Sequence, residues 1–176
     1  PFNKQIEMAN DVKGIILSGS PFSVNEKDHP KIDFAGFGNL PVLGICYGAQ
    51  LMAKAFGGTV EKSDKREYGR SHLHLEKKSL LLDDVNQDSN VWMSHSDTIT
   101  KIPDGFSITG STPQIPVAAF EIADQGKKFF GLQFHPEVYH SEEGKKILKN
   151  FLTKICHCKC DWTPEHFIND TVSHIK

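Results

Sequence analysis

Cysteine is scarce in this chain and badly placed for cross-linking. Cys46 stands alone, while Cys156, Cys158 and Cys160 crowd together near the end. That is a poor disulfide framework; it favours a reducing compartment, and the cytoplasm is the expectation. Long apolar runs are missing as well: nothing approaches the roughly 18 residues that a membrane helix needs. There is no dense run of Lys or Arg, and the net charge is −2, so binding to nucleic acid or to an anionic membrane has no electrostatic support. The first residues, PFNKQIEMAN, carry no charged-then-apolar leader pattern. Internal repeats and low-complexity tracts are also lacking. No stretch forms a nucleotide phosphate loop, because SGSP at 18–21 is too short and lacks the Lys-Ser/Thr ending. What remains is 176 residues, 38% hydrophobic and 24% charged, which suits one domain with a sizeable core, or a domain and a short tail.

The hydrophobic pattern changes character along the chain. VKGIILSG (12–19) and PVLGIC (41–46) read as buried strands. Between them, NEKDHPKIDFAGFGN reads as a loop with one helical turn. YGAQLMAKAF after the second strand has Leu51, Met52 and Ala55 at helical spacing, with Gly57-Gly58 as the stop. These segments predict an α/β fold, a mostly parallel central sheet with flanking helices. GTVEKS, GRSHLHLEK, NVWMSHSDTITKI and FSITGST instead alternate apolar and polar residues, which predicts a small antiparallel sheet beside it. PVAAFEIA and KKFFGLQF flank Asp124-Gln125-Gly126 as a hairpin. Beyond Pro136 the spacing predicts a helix capped by Ser141, with Glu142 and Glu143 in its first turn and an apolar stripe of Ile147, Leu148, Phe151 and Leu152. In DWTPEHF, Thr163 reads as a cap with Pro164 at the first helical position. PFNKQIEMAN has no strand of its own, so a first strand and helix of a doubly wound sheet are expected to be missing.

Two short motifs carry chemistry. GICYG (44–48) places Cys46 between glycines, after a strand and before a helix. It has the form of a nucleophile elbow, with cysteine in place of serine. Such a turn strains the cysteine backbone and presents its sulfur over the sheet edge, while glycine at 44 and 48 avoids a collision with the chain behind. The helix N-terminus is expected to favour the thiolate, and the N–H of Tyr47 to bind a developing oxyanion. A cysteine nucleophile needs a base, and the base needs an orienter. FFGLQFHPEV (129–138) supplies both: His135 and Glu137 are two apart and project to one face, and Pro136 ends the strand there. Each motif alone has a plain structural reading, a core thiol or a surface turn. Together, each supplies what the other lacks.

GICYGAQ and GLQFHPEV resemble the two signatures of class I glutamine amidotransferases, and the resemblance covers nearly the whole chain. ILSGSPFSV (16–24), REYGR (66–70), VWMSHSD (91–97) and CDWTPEHFI (160–168) are similar to motifs of the glutaminase domains of GMP synthetases within that family. The resemblance implies a flavodoxin-like fold and a triad of Cys46, His135 and Glu137. It implies a second oxyanion donor at the backbone N–H of Ser20, where this chain reads Gly19-Ser20-Pro21 and the family usually reads Gly-Gly-Pro. It implies glutamine binding by Gly19, Gln50 and the Ser94-His95 backbone. The expected chemistry is hydrolysis of the glutamine side-chain amide through a cysteinyl thioester, with the ammonia used to aminate xanthosine monophosphate to GMP. Residues 1–158 would then be the glutaminase domain, and 159–176 a connector toward an absent ATP-pyrophosphatase domain on the same full-length chain. ATP and Mg are expected in that partner domain, with no cofactor or metal here. The full-length enzyme is expected to be a homodimer, without nucleic-acid or membrane partners. The rivals are a free-standing γ-glutamyl hydrolase or peptidase of the same fold, and a non-catalytic interaction module.

Other features read more plainly. CHCKC (156–160) lacks the spacing of structural zinc sites. His72 and His74 share one strand face without an evident metal partner. Phe34, Phe37, Phe129 and Phe130 read as packing. Asp97 reads either as a turn cap or as a contact to a partner domain.

Overall fold

A computed structural model of the protein describes residue 9 and residues 11–124, 126–159 and 171–173. The expected loss of a first strand and the DWTPEHF segment with its Thr163 cap concern residues outside the described ones. The strands are β1 (Ile15–Leu17), β2 (Val42–Ile45), β3 (Thr59–Leu75), β4 (Ser89–Lys101), β5 (Ser107–Ser111), β6 (Ala119–Asp124) and β7 (Lys127–Leu132). The α-helices are α1 (Tyr47–Ala55) and α2 (Gly144–Asn150), the latter continuing as a π-helical turn over Phe151–Ile155. A 3-10 turn, Phe34–Phe37, interrupts the long loop after β1, as expected there.

The strands form one sheet in the order β1-β2-β7-β6-β5-β3-β4. The α/β class holds, with a different balance from the one expected. Among the described residues only β1–β2 and β2–β7 pair in parallel, while β7–β6, β6–β5, β5–β3 and β3–β4 are antiparallel. The antiparallel strands therefore extend the parallel ones rather than standing beside them as a small second sheet. GTVEKS and GRSHLHLEK are not two strands but the two ends of the 17-residue β3, whose register against β4 shifts between Lys62 and Glu67. A bulge of this kind lets one strand bend and change partners, and β3 ends against β5 at His74 and Leu75. The hairpin across 124–126 forms, with Asp124 opposite Lys127 and Gly126 at φ 83°.

The parallel strands are apolar on both faces because both are covered. Val42 and Phe129 pack with Met52 and Phe34 on the α1 side, whereas Leu43 and Phe130 pack with Ile147 and Phe151 on the α2 side. The expected stripe of α2 is corrected in part: Ile147, Phe151 and Ile155 are buried, but Leu152 is 43% exposed. Ile147, Phe151 and Ile155 recur every fourth residue along the buried face, and Leu152, one position past Phe151, turns off it. Ser141 is not the cap. Glu143 holds that position without a side-chain bond, because the Ser141 hydroxyl is used elsewhere.

Register then decides what meets at one edge. Leu17 lies opposite Gly44, and Ile45 opposite Leu132. The chain leaves β1, β2 and β7 on the same side of the sheet, into Gly19-Ser20, Cys46 and His135 respectively. This is the edge, beyond the carboxyl ends of parallel strands, where α/β folds place their sites.

Close packing beneath that edge requires glycine. A Cβ on Gly48 would lie 2.3 Å from the Leu17 carbonyl oxygen, and one on Gly44 2.6 Å from the Gly48 carbonyl carbon. Both obstacles are backbone, so they cannot swing aside. Gly48→Ala is expected to cost roughly 2–4 kcal/mol in urea unfolding. Gly126→Ala, with positive φ but open space around it, should cost about 1–2 kcal/mol. Equal costs at the two positions would contradict this packing.

Candidate active site

Cys46 sits between β2 and α1 with φ 50° and ψ −105°. A non-glycine residue in that region stores of order 1–3 kcal/mol of strain. Its N–H donates to the Leu132 carbonyl at 2.7 Å, and its own carbonyl accepts from the N–H groups of Ala49 and Gln50, each at 3.1 Å. The residue is thereby locked to β7 on one side and to the helix on the other. Its thiol is 5% exposed and donates to the Ser94 carbonyl at 3.7 Å.

Three residues past β7, His135 Nδ1 lies 2.7 Å from Glu137 Oε1. The histidine side chain is 17% exposed and the glutamate 43%. The His135 N–H donates to the Trp92 carbonyl at 3.0 Å. Ser141 also grips this turn: its hydroxyl donates to the His135 carbonyl at 2.5 Å and accepts from the Trp92 N–H at 3.1 Å. Gly144 lets the first turn of α2 press onto the same segment, since a Cβ there would lie 1.9 Å from the Pro136 carbonyl oxygen. Gly19 brings the two motifs together. A Cβ at that position would be 3.1 Å from His135 Cε1 and 3.9 Å from Cys46 Cβ.

Gly19, Cys46 and His135 line one cavity of about 450 Å³, which also receives Ser20, Gln50, Ser94, His95, Asp97 and Tyr68. Gln50 Nε2 donates to the Asp97 carbonyl at 2.7 Å. His95 is buried, with neither ring nitrogen in hydrogen-bonding geometry with a described residue. Burial pushes its pKa down to about 4, opposed only in part by the backbone and carboxylate of Asp97. Both ring nitrogens are shielded from solvent, and the neutral imidazole keeps one donor and one acceptor. Tyr47, the residue after Cys46, anchors its phenol away from the cavity by donating to the Pro30 carbonyl at 2.9 Å.

Two expectations give way. Burial raises the Cys46 pKa to about 11, the Tyr47 N–H offsets this only in part, and the Glu137 carboxylate raises it further. The resting sulfur is therefore a thiol and not the expected thiolate. The Ala49 and Gln50 N–H groups are taken by the Cys46 carbonyl, and that of Tyr47 is outweighed by desolvation of the buried sulfur. Asp97 is neither a turn cap nor turned outward to a partner. It lies within β4, buried, and accepts a hydrogen bond from Ser23. His72 and His74 each approach Asp88 at 3.3 Å, and no group of three possible metal ligands occurs among the described residues. Sequence reasoning missed the contribution of Ser141, because its partners lie six and 49 positions away and nothing local marks it.

The model of the glutamine amidotransferase class-I family matches residues 1–155. The chain belongs to this family. This class-I amidotransferase chain is 49% identical over its whole length to GMP synthase [glutamine-hydrolyzing] 1 of Bacteroides thetaiotaomicron, and 51% identical to GMP synthase [glutamine-hydrolyzing] of Porphyromonas gingivalis. It spans 35% of the length of each. Among solved structures, a putative GMP synthase protein of Thermoplasma acidophilum is 32% identical with a TM-score of 0.65, over 70% of this chain and 61% of that one. A Thermotoga maritima glutamine amidotransferase, 20% identical over 86% of this chain and 66% of that one, has a TM-score of 0.65 and shows the shared fold.

Two outcomes follow for the amidotransferase. Alkylation of Cys46 by iodoacetamide should climb about tenfold per pH unit from pH 7 to pH 10; a rate already maximal at pH 7 would mean a resting thiolate. Ser141→Ala should lower glutamine turnover several-fold and cost about 1–2 kcal/mol in urea unfolding. Unchanged turnover would remove Ser141 from the support of His135.

Proposed function

We propose that this amidotransferase chain hydrolyses the side-chain amide of glutamine through a thioester on Cys46. The reading rests above all on one observation: Cys46 and His135 line the same cavity, and Glu137 holds the His135 ring from behind it. His135 donates its Nδ1 proton to Glu137, which leaves Nε2 as the acceptor for the Cys46 proton. Glutamine occupies the cavity, held by Gly19, Gln50 and the Ser94-His95 backbone. The thiol, neutral at rest, passes its proton to His135 as the sulfur attacks the amide carbon. Glu137 stabilises the imidazolium so formed. The N–H groups of Tyr47 and Ser20 hold the oxyanion. His135 returns the proton to the departing ammonia, leaving a γ-glutamyl thioester. Water, deprotonated by His135, then adds to the thioester carbonyl; the adduct expels the Cys46 sulfur, which takes the proton back from His135, and releases glutamate.

The names of the relatives support a wider reading. The chain is the glutaminase part of a longer GMP synthase, with residues 1–158 as the domain and 159–176 leading to an ATP-pyrophosphatase domain. That domain holds ATP and Mg and uses the ammonia to aminate xanthosine monophosphate. The enzyme is a homodimer and works in the cytoplasm; among the described residues no helix is long and apolar enough to cross a membrane.

In the longer protein, Cys46→Ala should abolish GMP formation from glutamine and leave formation from added ammonia intact. Glu137→Gln should lower the glutamine-dependent kcat by roughly 10²-fold. Glutamine-dependent synthesis surviving in Cys46→Ala would overturn the assignment. Hydrolysis of γ-glutamyl peptides as fast as glutamine would favour a γ-glutamyl hydrolase.

A further inference from the structure

The turn that carries Gly19 and Ser20 belongs to a stretch, residues 18–33, with no strand or helix. Its fastening therefore comes from side chains. At its far end, Val24 is buried against the α1 side of the sheet. Lys54 Nζ donates to the Val24 carbonyl at 2.6 Å and to Asn25 Oδ1 at 2.9 Å, and Asn25 Nδ2 donates to the Val60 carbonyl at 3.1 Å. Nearer the cavity, the Phe22 N–H donates to the Ser20 hydroxyl at 3.3 Å within the turn, and Ser23 ties the turn to β4. The Ser23 hydroxyl donates to Asp97 Oδ2 and accepts from the Asn25 N–H at 3.1 Å. Asp97 is buried in β4, three residues beyond Ser94, whose carbonyl accepts from the Cys46 thiol. The Asp97 carbonyl also holds Gln50. One residue of β4 thus links the turn, the nucleophile's strand neighbour and α1.

We propose that Ser23 is a positioning residue for the glutaminase reaction: through Asp97 it fixes the Gly19-Ser20-Pro21 turn over Cys46, so that the Ser20 N–H stands where the oxyanion forms. The inference rests on the glutaminase reading above. An oxyanion donor acts only when its place is set before charge develops. A turn with no ladder of its own needs an outside anchor to meet that condition, and a buried carboxylate is a strong, directional acceptor. Ser23 touches neither substrate nor reacting atoms. Its effect should appear only in steps that build charge on a carbonyl oxygen.

Two reagents separate that effect from general damage. A chloromethyl-ketone analogue of glutamine adds the Cys46 sulfur to its carbonyl, charging the oxygen, before the carbon–sulfur bond to the methylene forms and chloride leaves. Iodoacetamide alkylates the same sulfur by direct displacement of iodide. Rates of both at Cys46 are read by mass spectrometry on the 176-residue chain. Ser23→Ala should slow the ketone roughly tenfold while leaving the iodoacetamide rate within about twofold. Ser23→Thr, which keeps the hydroxyl, should restore the ketone rate. Asn25→Ala, which loosens only the far end, should leave it unchanged. Wild-type ketone rates in Ser23→Ala, equal slowing of both reagents, or the same loss in Asn25→Ala would each overturn the inference. Should Ser23→Ala fail to fold, Ser23→Thr and Ser23→Val compare hydroxyl kept with hydroxyl lost at similar bulk, and equal ketone rates for that pair would overturn it. A wild-type ketone adduct away from Cys46 would instead bring down the glutaminase reading, and this inference with it.

Discussion

The parallel pairing of β2 with β7 is the constraint on which the site depends. Cys46 and His135 are 89 positions apart in sequence, and nothing local draws them together. The ladder that sets Ile45 opposite Leu132, continued by the bond from the Cys46 N–H to the Leu132 carbonyl, brings both chain exits to one edge. Side chains in a sheet alternate faces, so a slip of one residue would send Phe129 and Phe130 to the wrong sides of the sheet and carry His135 away from the elbow. The two-sided core is therefore what holds the chemistry in register. β1 adds the third exit on the same terms, through Leu17 opposite Gly44.

Burial then sets the electrostatic state of the edge. Glycine at 44 and 48 lets strand and helix pack close beneath the thiol, and Cys46 itself is buried. The same desolvation that raises the Cys46 pKa lowers that of His95, because each group is held in its neutral form. The thiol and the His95 imidazole thus rest uncharged at the edge where Asp97 also lines the cavity. In the proposed reaction the thiol gives up its proton only as it attacks, to the His135 ring that Glu137 holds.

Much of this was legible in the sequence, for a physical reason. GICYG and FHPE set their geometry in adjacent residues: a forced turn at Cys46, and an imidazole with the carboxylate that holds it. The buried strands, α1 and the hairpin at Gly126 were legible from local period and turn chemistry in the same way. The rest depends on partners far away along the chain. The continuity of β3 through its bulge is fixed by β4 and β5, not by its own alternation. Ser141 has the local look of a helix cap, yet its hydroxyl is claimed by His135 and Trp92. Asp97 has the look of a turn residue, yet Ser23, 74 positions away, holds it inside a strand. The state of the Cys46 thiol was not legible, because a helix N-terminus shows in sequence, whereas the desolvation opposing it is a sum over the whole fold.

The most direct measurement of the central claim is a rapid acid quench of the protein mixed with glutamine, followed by peptide mass analysis. The account predicts a γ-glutamyl group on the peptide containing Cys46, formed as ammonia is released and lost on standing as glutamate appears. A quench that captures the acyl group on another residue, or glutamate released with no acyl-enzyme formed at all, would contradict it.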